Sequence, residues 1–282
     1  MLDRRLNAFR ADLAEIGLKG RVNAARFVVG EKARVVVAVA ELRSEPHFNV
    51  GVDTQLLFGE SVTVFEMKNG WSWVKSDIDS YVGYLPDRFL DDAGDNPTHW
   101  ITAPRTFIYP EPELKTAPVG GLSMGSRISV IEELEHRGTR YLVLEDERAV
   151  VAGHCRPLGE VETEDYVSIA GRFLETPYLW GGRSGFGIDC SGLVQLALHM
   201  TGVEAPRDSD MQAAGLGVEI APDEIRRGDL VFWKGHVGIL EDSETLLHAN
   251  GHTMSVSREP LRDAIVRISY LYGEPTGFRR PQ

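Results

Sequence analysis

The chain has 282 residues, of which 43% are hydrophobic and 26% charged, a composition typical of a soluble globular protein with two or three small domains. Its formal net charge of −12 argues against nucleic acids and anionic membrane surfaces as partners, because both are negatively charged. Its two cysteines, Cys155 and Cys190, fall in different predicted domains, so a disulfide framework is not expected.

The first residues contain no signal peptide or lipobox cysteine, and no apolar run has the length of a membrane span. We therefore expect a cytoplasmic protein. Residues 1–33 are predicted to be a lead-in segment that lies against the rest of the protein. Within it, apolar residues recur at helical spacing, which predicts a helix from Asp3 to Ile16.

From about Ala33 the pattern changes to short apolar runs separated by turn residues, which is typical of a small β-barrel or sandwich. The predicted strands are Val35–Val39, Gln55–Phe58, Val62–Phe65, Trp71–Lys75 and Tyr81–Leu85.

This unit is repeated further along the chain, after a predicted linker at Asp91–Pro97. The aligned pairs of segments are Phe58–Glu66 with Met124–Glu132, Trp71–Val74 with Arg140–Val143 and, loosely, Val82–Pro86 with Ala152–Pro157. The second repeat lacks the aromatic residues Trp71, Trp73 and Tyr81, so the first is expected to carry a binding face. The alternative is that these three aromatic residues form the core of the barrel.

The segment from Pro177 to Val194 joins an apolar start, a glycine-rich loop and a run that predicts a buried helix. Cys190 is expected at the N-terminus of this helix, with Asp189 as its N-cap. The positive end of a helix lowers the pKa of a thiol, and glycines let backbone N–H groups approach a substrate oxyanion. Cys190 is therefore a candidate nucleophile, the alternative being a buried apolar cysteine.

A cysteine nucleophile needs a base and a third group that orients the base. His236 opens the predicted strand His236–Leu240, and His248 lies on the next predicted strand, Leu246–Asn250. The two imidazoles share one face of the sheet only if an odd number of residues separates the paired strands. His236 is the candidate base, and either His248 or Asn250 could orient it.

Five motifs carry a resemblance to a known family: Tyr178-x-Trp180-Gly-Gly, Asp189-Cys-Ser-Gly192, Gly228-Asp-Leu-Val231, Gly235-His-Val-Gly-Ile239 and His248-Ala. Over about residues 160–282 the chain resembles the NlpC-type papain-like cysteine peptidases, which cleave peptides of bacterial peptidoglycan. The two repeats resemble bacterial SH3-like domains. The whole chain is similar to the γ-D-glutamyl-L-diamino acid endopeptidases that recycle murein peptides inside cells.

The resemblance implies an α+β fold, in which a papain-like domain follows two small SH3-like β-barrels. In such a domain, a helix that carries the cysteine packs on an antiparallel sheet. The implied parts are a lead-in (1–33), a first SH3-like domain (34–95), a second one (96–159) and the peptidase domain (160–282).

The resemblance also implies roles for individual residues. Cys190 would be the nucleophile, His236 the base and His248 the orienting residue. The implied substrate-binding residues are Tyr81, Trp180, Asp189, Ser191, Asp208 and Ser209. The implied substrate is a peptidoglycan stem peptide with a free N-terminal L-Ala, cleaved between γ-D-glutamate and either diaminopimelate or lysine.

One implied contact has no clear counterpart in this chain. Relatives carry an acidic residue in the first barrel that faces the substrate amine, and here Gly51 stands near that place, with Asp53 and Glu60 nearby. The acidic partner in the barrel is therefore left open.

We expect no cofactor, no metal, no nucleic acid or membrane partner, and a monomer. A metal site at His154 and Cys155 would lack a second pair of ligands. An acyltransferase or amidase on the same core would use the same cysteine and histidine, but the SH3-like pair and Arg207-Asp208-Ser209 argue against it. A wall-binding protein with an inactive domain is disfavoured by the intact Cys190, His236 and His248.

Overall fold

The computed structural model describes residues 2–94, 96–161 and 164–282. The chain divides into two compact units, Met1–Leu158 and Gly159–Gln282. The predicted linker Asp91–Pro97 includes Asp95, which lies outside the described residues.

The first unit opens with two short strands that pair in parallel, β1 (Leu13–Glu15) and β2 (Arg26–Val28). Seven strands follow: β3 (Glu31–Val35), β4 (Val39–Leu42), β5 (Thr54–Leu57), β6 (Ser61–Lys68), β7 (Trp71–Ser76), β8 (Val82–Pro86) and β9 (Leu90–Asp92). They form a sheet of order β8-β7-β6-β3-β9 and a hairpin β4-β5. Alternate residues of these strands form one core, to which Val62, Val64 and Val74 belong. The predicted run Val35–Val39 is in fact the junction between β3 and β4.

The predicted helix at Asp3–Ile16 is wrong, because this segment contains β1 and packs on the barrel. Ala8 and Leu13 are buried against Trp73. The guanidinium of Arg10 lies 4.4 Å from the centre of the Trp73 ring. These contacts outweigh the helical spacing, since local propensity is a weak preference that tertiary packing overrides. They also make Trp73 part of the core rather than of an open binding face.

The second group of strands in this unit is β10 (His99–Ile101), β11 (Arg105–Ile108), β12 (Gly120–Ser123), β13 (Arg127–Ile128), β14 (Val130–His136), β15 (Thr139–Leu144), β16 (Ala149–Val151) and β17 (Cys155–Pro157). They form the sheets β13-β10-β17, β11-β12 and β14-β15-β16.

Two local features recur at aligned positions of the two groups. The β6–β7 register shifts between Val64 and Glu66, and the β14–β15 register shifts between Val130 and Glu132. Gly59 and Gly125 both adopt positive φ, at 77° and 87°. The third aligned pair of segments is displaced, because Ala152–His154 is a 3₁₀ helix like Asp87–Phe89 and not a strand like β8.

The second unit is built around one six-stranded sheet. Its elements are α1 (Tyr166–Gly171), β18 (Arg183–Ser184), β19 (Gly187–Ile188), α2 (Cys190–Met200), α3 (Ser209–Gly215), β20 (Val218–Ile220), β21 (Leu230–Trp233), β22 (His236–Leu240), β23 (Thr245–Asn250), β24 (Ser255–Pro260), α4 (Leu261–Tyr272) and β25 (Gly277–Arg280). The sheet order is β20-β25-β21-β22-β23-β24, with every pair antiparallel.

Two helices position the site on this sheet. All residues of α2 except His199 are buried, and α2 packs against β22 and β23. Helix α4 packs against β23 and β24. Neither α4 nor β24 is among the elements predicted from the sequence, although the buried residues of α4 (Leu261, Ala264 and Ile268) recur at helical spacing. Among the described residues, no helix has the length and hydropathy of a membrane span.

Candidate active site

Cys190 is the first residue of α2, as the sequence predicts. The N-cap is Asp189, whose Oδ1 accepts a hydrogen bond from the Gly192 N–H at 2.7 Å. The thiol is 7% exposed and accepts a hydrogen bond from the backbone N–H of Val237. The sulfur therefore lies beside β22, at the residue that follows His236.

Burial raises the pKa of Cys190 to about 12, and the charge of Asp189 acts in the same direction. The Val237 N–H and the more distant charge of Arg207 oppose this shift. The expectation that the helix N-terminus lowers this pKa is therefore wrong for the protein without substrate. Removal of the sulfur from water outweighs the field of the helix.

The two histidines lie together on one face of the sheet. Nε2 of His236 is 2.8 Å from Nδ1 of His248. Leu240 pairs with Leu246, so an odd number of residues, 241–245, separates the paired strands. Asp242 closes this turn, since its Oδ1 accepts the N–H groups of Glu244 and Thr245. The predicted condition, an odd number of residues between the paired strands, is therefore met, and both imidazoles lie on one face of the sheet.

Asn250, the alternative orienting residue, is engaged elsewhere. Its Oδ1 accepts the backbone N–H groups of His252 and Thr253, and its Nδ2 donates to Ser257 Oγ at 2.9 Å. The amide thus holds the turn between β23 and β24. The polar neighbour of His236 Nε2 is His248.

Behind His248 lies a carboxylate that the sequence does not single out. Glu259 Oε1 is 2.8 Å from His248 Nε2, within ion-pair distance, although the N–H bond is not well directed at the oxygen. The same oxygen contacts Nη2 of Arg267 from α4. The signal that could have revealed Glu259 is the alternation of Ser255, Ser257 and Glu259 in a strand next to β23.

Burial lowers the pKa of His236 to about 3, and the neighbouring His248 and Arg267 act in the same direction. Burial also lowers the pKa of His248, while Glu259 opposes that shift. Both imidazoles are therefore neutral in the free protein near pH 7. Transfer of a proton from Cys190 to His236 would create a thiolate and an imidazolium side by side, and the total charge of these two residues would stay zero.

A buried ion pair supports the start of α2. Arg207, which is 1% exposed, donates to both oxygens of Asp189, from Nη1 at 3.0 Å and from Nη2 at 2.7 Å. Its Nη1 also donates to Ser191 Oγ at 2.9 Å. Asp189 and Ser191, which the resemblance places in the substrate pocket, are thus engaged in an internal network. The sequence does not indicate this role of Arg207.

Two glycine N–H groups before α2 are also used internally. The N–H of Gly181 donates to Asp189 Oδ2 at 2.9 Å, and that of Gly182 donates to Leu179 O. A Cβ on Gly182 would lie 2.6 Å from Gly187 O, so this loop requires glycine. Both N–H groups close the loop, so these two are engaged internally and do not face a substrate oxygen.

The remaining predicted site residues differ in exposure. Trp180 is 69% exposed, and Asp208 and Ser209 lie half-buried at the start of α3. Tyr81 is 4% exposed and belongs to the core formed by strands β3–β9. In the part of the chain that the structure describes, no three His, Cys, Asp or Glu side chains form a group that could hold a metal ion.

Two family models and several known proteins are similar to parts of this chain. Residues 175–272 match the NlpC/P60 family, and residues 42–90 match the bacterial dipeptidyl-peptidase SH3 domain. A γ-D-glutamyl-L-lysine dipeptidyl-peptidase of Bacillus subtilis is 31% identical over 70% of this chain and 72% of its own length. Dipeptidyl-peptidase 6 of Lysinibacillus sphaericus is 28% identical over 85% of this chain and 99% of its own length.

A solved structure gives the same fold. The crystal structure of an NlpC/P60 family protein from Bacillus cereus superposes with a TM-score of 0.74 and covers 89% of this chain and 99% of its own. The two sequences are 24% identical, so this likeness bears on the fold alone.

Proposed function

Because the chain belongs to the NlpC/P60 family of cysteine peptidases, we propose that it hydrolyses the bond between γ-D-glutamate and a diamino acid in peptidoglycan-derived peptides. The observation that carries the proposal is the 2.8 Å contact between His236 Nε2 and His248 Nδ1, next to a cysteine at a helix start. The name of the B. subtilis relative supports the choice of substrate.

In the proposed reaction, Cys190 is the nucleophile, His236 the base and His248 the residue that orients the base. The sulfur bonds to the γ-carbonyl carbon while the thiol proton passes to His236. The C–N bond then breaks, and His236 returns the proton to the leaving amine of the diamino acid. Water cleaves the resulting thioester, giving one proton through His236 back to the sulfur.

The neutral resting pair fits this order of events. Burial opposes a free thiolate and a free imidazolium alike, since each is a charge removed from water. Attack coupled to proton transfer avoids a lone buried charge at any stage.

We further propose that the substrate has a free N-terminal L-Ala, whose ammonium lies near Asp208 and Ser209, with Trp180 beside it. Trp180 is the most exposed of the proposed binding residues, and the two others are half-buried at one helix start. The relatives are named dipeptidyl-peptidases, and such enzymes cut two residues from a free amino end. The assay below compares diaminopimelate with lysine as the third residue of the substrate.

Roles for Tyr81, Asp189 and Ser191 in binding remain part of the proposal. Tyr81 lies within the segment that matches the dipeptidyl-peptidase SH3 domain. We also propose that residues 34–95 and 96–159 are both SH3-like, that the peptidase domain spans 160–282, and that the protein acts as a monomer. The shared register shift in β6–β7 and β14–β15 supports the repeat.

The test is product analysis with purified protein on L-Ala-γ-D-Glu-L-Lys and L-Ala-γ-D-Glu-diaminopimelate, with the α-linked L-Ala-D-Glu-L-Lys as the matched control. The expected result is release of L-Ala-D-Glu from at least one γ-linked peptide and none from the α-linked one. Equal cleavage of both linkages, or cleavage of neither, contradicts the proposal.

A further inference from the structure

We propose that Glu259 is a positioning residue of the active site, which selects the tautomer of His248 and, through it, the basic nitrogen of His236. The inference rests on the function proposed above. Its basis is a row of contacts: Glu259 Oε1 lies 2.8 Å from His248 Nε2, and His248 Nδ1 lies 2.8 Å from His236 Nε2.

The protons in this row follow from the carboxylate. Burial by itself would raise the pKa of Glu259, but His248 and Arg267 together hold it below the usual value, so the group is ionised near pH 7. An ionised carboxylate only accepts hydrogen bonds, which places the proton of neutral His248 on Nε2. Nδ1 of His248 is then an acceptor, and His236 must donate to it from Nε2. This leaves Nδ1 of His236 as the nitrogen that can take the proton of Cys190.

Without Glu259, nothing else in the row distinguishes the two tautomers. A His248 protonated on Nδ1 would donate to His236 Nε2 and leave the proton of His236 on Nδ1, the wrong nitrogen for a base. A second partner that fixes the tautomer and orientation of a functional histidine is a common device in proteins.

The fold holds the carboxylate in place from two sides. On β24, Glu259 pairs with Leu246 of β23, and His248 pairs with Ser257, so Glu259 and His248 point to the same face of the sheet. From α4, Arg267 Nη2 contacts the same Oε1 that faces His248. Both contacts use one oxygen, which an amide oxygen can replace.

Charges on every neighbouring element act on the pair of histidines. His248 and Arg267 oppose a proton on His236, while Glu259 favours one. Glu259 likewise favours a proton on His248, and Arg267 and His252 oppose it. At the start of α2, the N-cap Asp189 raises the pKa of Cys190, and Arg207 from the loop before α3 lowers it. Glu259 is thus the group whose negative charge supports an imidazolium at His236.

Three variants distinguish the effect of the hydrogen-bond acceptor at Glu259 from the effect of its negative charge. Glu259→Gln keeps an oxygen acceptor and removes the charge, whereas Glu259→Leu removes both. Glu241→Gln is the matched control. Like Glu259, Glu241 pairs with an arginine (Arg258), but it is not among the groups that shift the pKa of either histidine.

The first readout needs no substrate: ¹⁵N NMR of the imidazole nitrogens reports the tautomer of His248. We expect the Nε2–H form in the wild type, Glu259→Gln and Glu241→Gln, and a mixture of tautomers in Glu259→Leu. A wild-type His248 that carries its proton on Nδ1 overturns the proposal.

The second readout is kcat and KM as functions of pH on the γ-linked tripeptide. We expect kcat of Glu259→Leu to fall about ten- to a hundredfold, the usual range for outer partners of a functional histidine, with KM little changed. Glu259→Gln should keep most of kcat, with the acid limb of kcat/KM moved to lower pH, because loss of the negative charge makes protonation of His236 less favourable.

A folded Glu259→Leu with the kcat and pH profile of the wild type overturns the proposal. If Glu259→Leu does not fold, the acid limb of Glu259→Gln decides, since an unmoved acid limb contradicts the role of the charge. If the wild type cleaves no γ-linked peptide, the proposed function fails, while the NMR result still decides the role of Glu259.

Discussion

The guanidinium of Arg207 donates two hydrogen bonds to the carboxylate of Asp189, from Nη1 to Oδ1 at 3.0 Å and from Nη2 to Oδ2 at 2.7 Å. The pair lies under the first turn of α2, where Asp189 also caps Gly192. The start of α2 is therefore held by a buried ion pair. This ion pair helps to fix the position of Cys190, the proposed nucleophile.

Arg207→Met should lower the free energy of unfolding by about 3–5 kcal/mol, because removal of one partner leaves a buried carboxylate without its counter-charge. Urea unfolding measures this. The matched control is Arg227→Met, since Arg227 also donates to both oxygens of Asp165, from Nε and Nη2, but at an exposed site. The control should cost about 1 kcal/mol or less. Equal losses in both variants would show that burial of the Arg207 pair is irrelevant.

Gly238→Ala should damage the histidine pair. A Cβ at this position would lie 2.5 Å from Leu246 Cδ1, so the Leu246 side chain must shift, and it would contact His248 Cβ at 3.4 Å. We expect a loss of stability of about 1–3 kcal/mol from overpacking, and a fall in kcat of up to about a hundredfold if the shift of Leu246 moves the neighbouring His248. Gly251→Ala is the control, because a Cβ there would meet nothing within 4 Å. Unchanged stability and kcat in Gly238→Ala would refute this reading.

Acid should destabilise the protein through His236. Its pKa falls from the ordinary 6.5 to about 3 on folding, so between these values the unfolded chain binds a proton that the folded chain does not. Stability therefore decreases as the pH falls from about 6.5 towards 3. His236→Gln removes this term, and its advantage over the wild type in denaturant unfolding should grow as the pH is lowered. His47→Gln, which removes an exposed histidine, serves as the control. Parallel pH profiles of His236→Gln and the wild type would contradict the assignment.

A free N-terminal amine on the substrate should raise kcat/KM. L-Ala-γ-D-Glu-L-Lys should be cleaved with a kcat/KM about ten- to a hundredfold above that of its N-acetyl form, the range expected for a hydrogen bond to a charged group. Asp208→Asn should reduce kcat/KM on the free peptide and leave the acetylated one nearly unaffected. Tyr81→Phe tests the phenol in the same assay without altering the barrel core. Equal rates on both peptides would remove the preference for a free N-terminus.

Much of the site was predictable because it depends on local signals. The apolar run after Asp189 indicates a buried helix that begins at Cys190, and the alternation along β22 and β23 brings His236 and His248 to one face. These features depend on periodicity and on a cap, which act over a few residues.

The parts that sequence reasoning missed depend on distant partners. Glu259 and Arg207 are ordinary charged residues until β24 and the loop before α3 bring them to His248 and Asp189. The lead-in forms β1 instead of a helix because Trp73 and Glu66 of the barrel hold Arg10. The pKa of Cys190 was misjudged because burial, which a sequence does not report, outweighs the helix end.

The central claim is that Cys190 carries the hydrolysis, and the chain offers its own control in the second cysteine, Cys155. The measurement is kcat/KM of Cys190→Ala and Cys155→Ala on L-Ala-γ-D-Glu-L-Lys, with folding of each variant checked by its unfolding transition. We predict that Cys190→Ala loses about a millionfold in rate, as removal of a nucleophile does, and that Cys155→Ala keeps the wild-type rate. A folded Cys190→Ala that still releases L-Ala-D-Glu at a rate near that of the wild type would contradict the account.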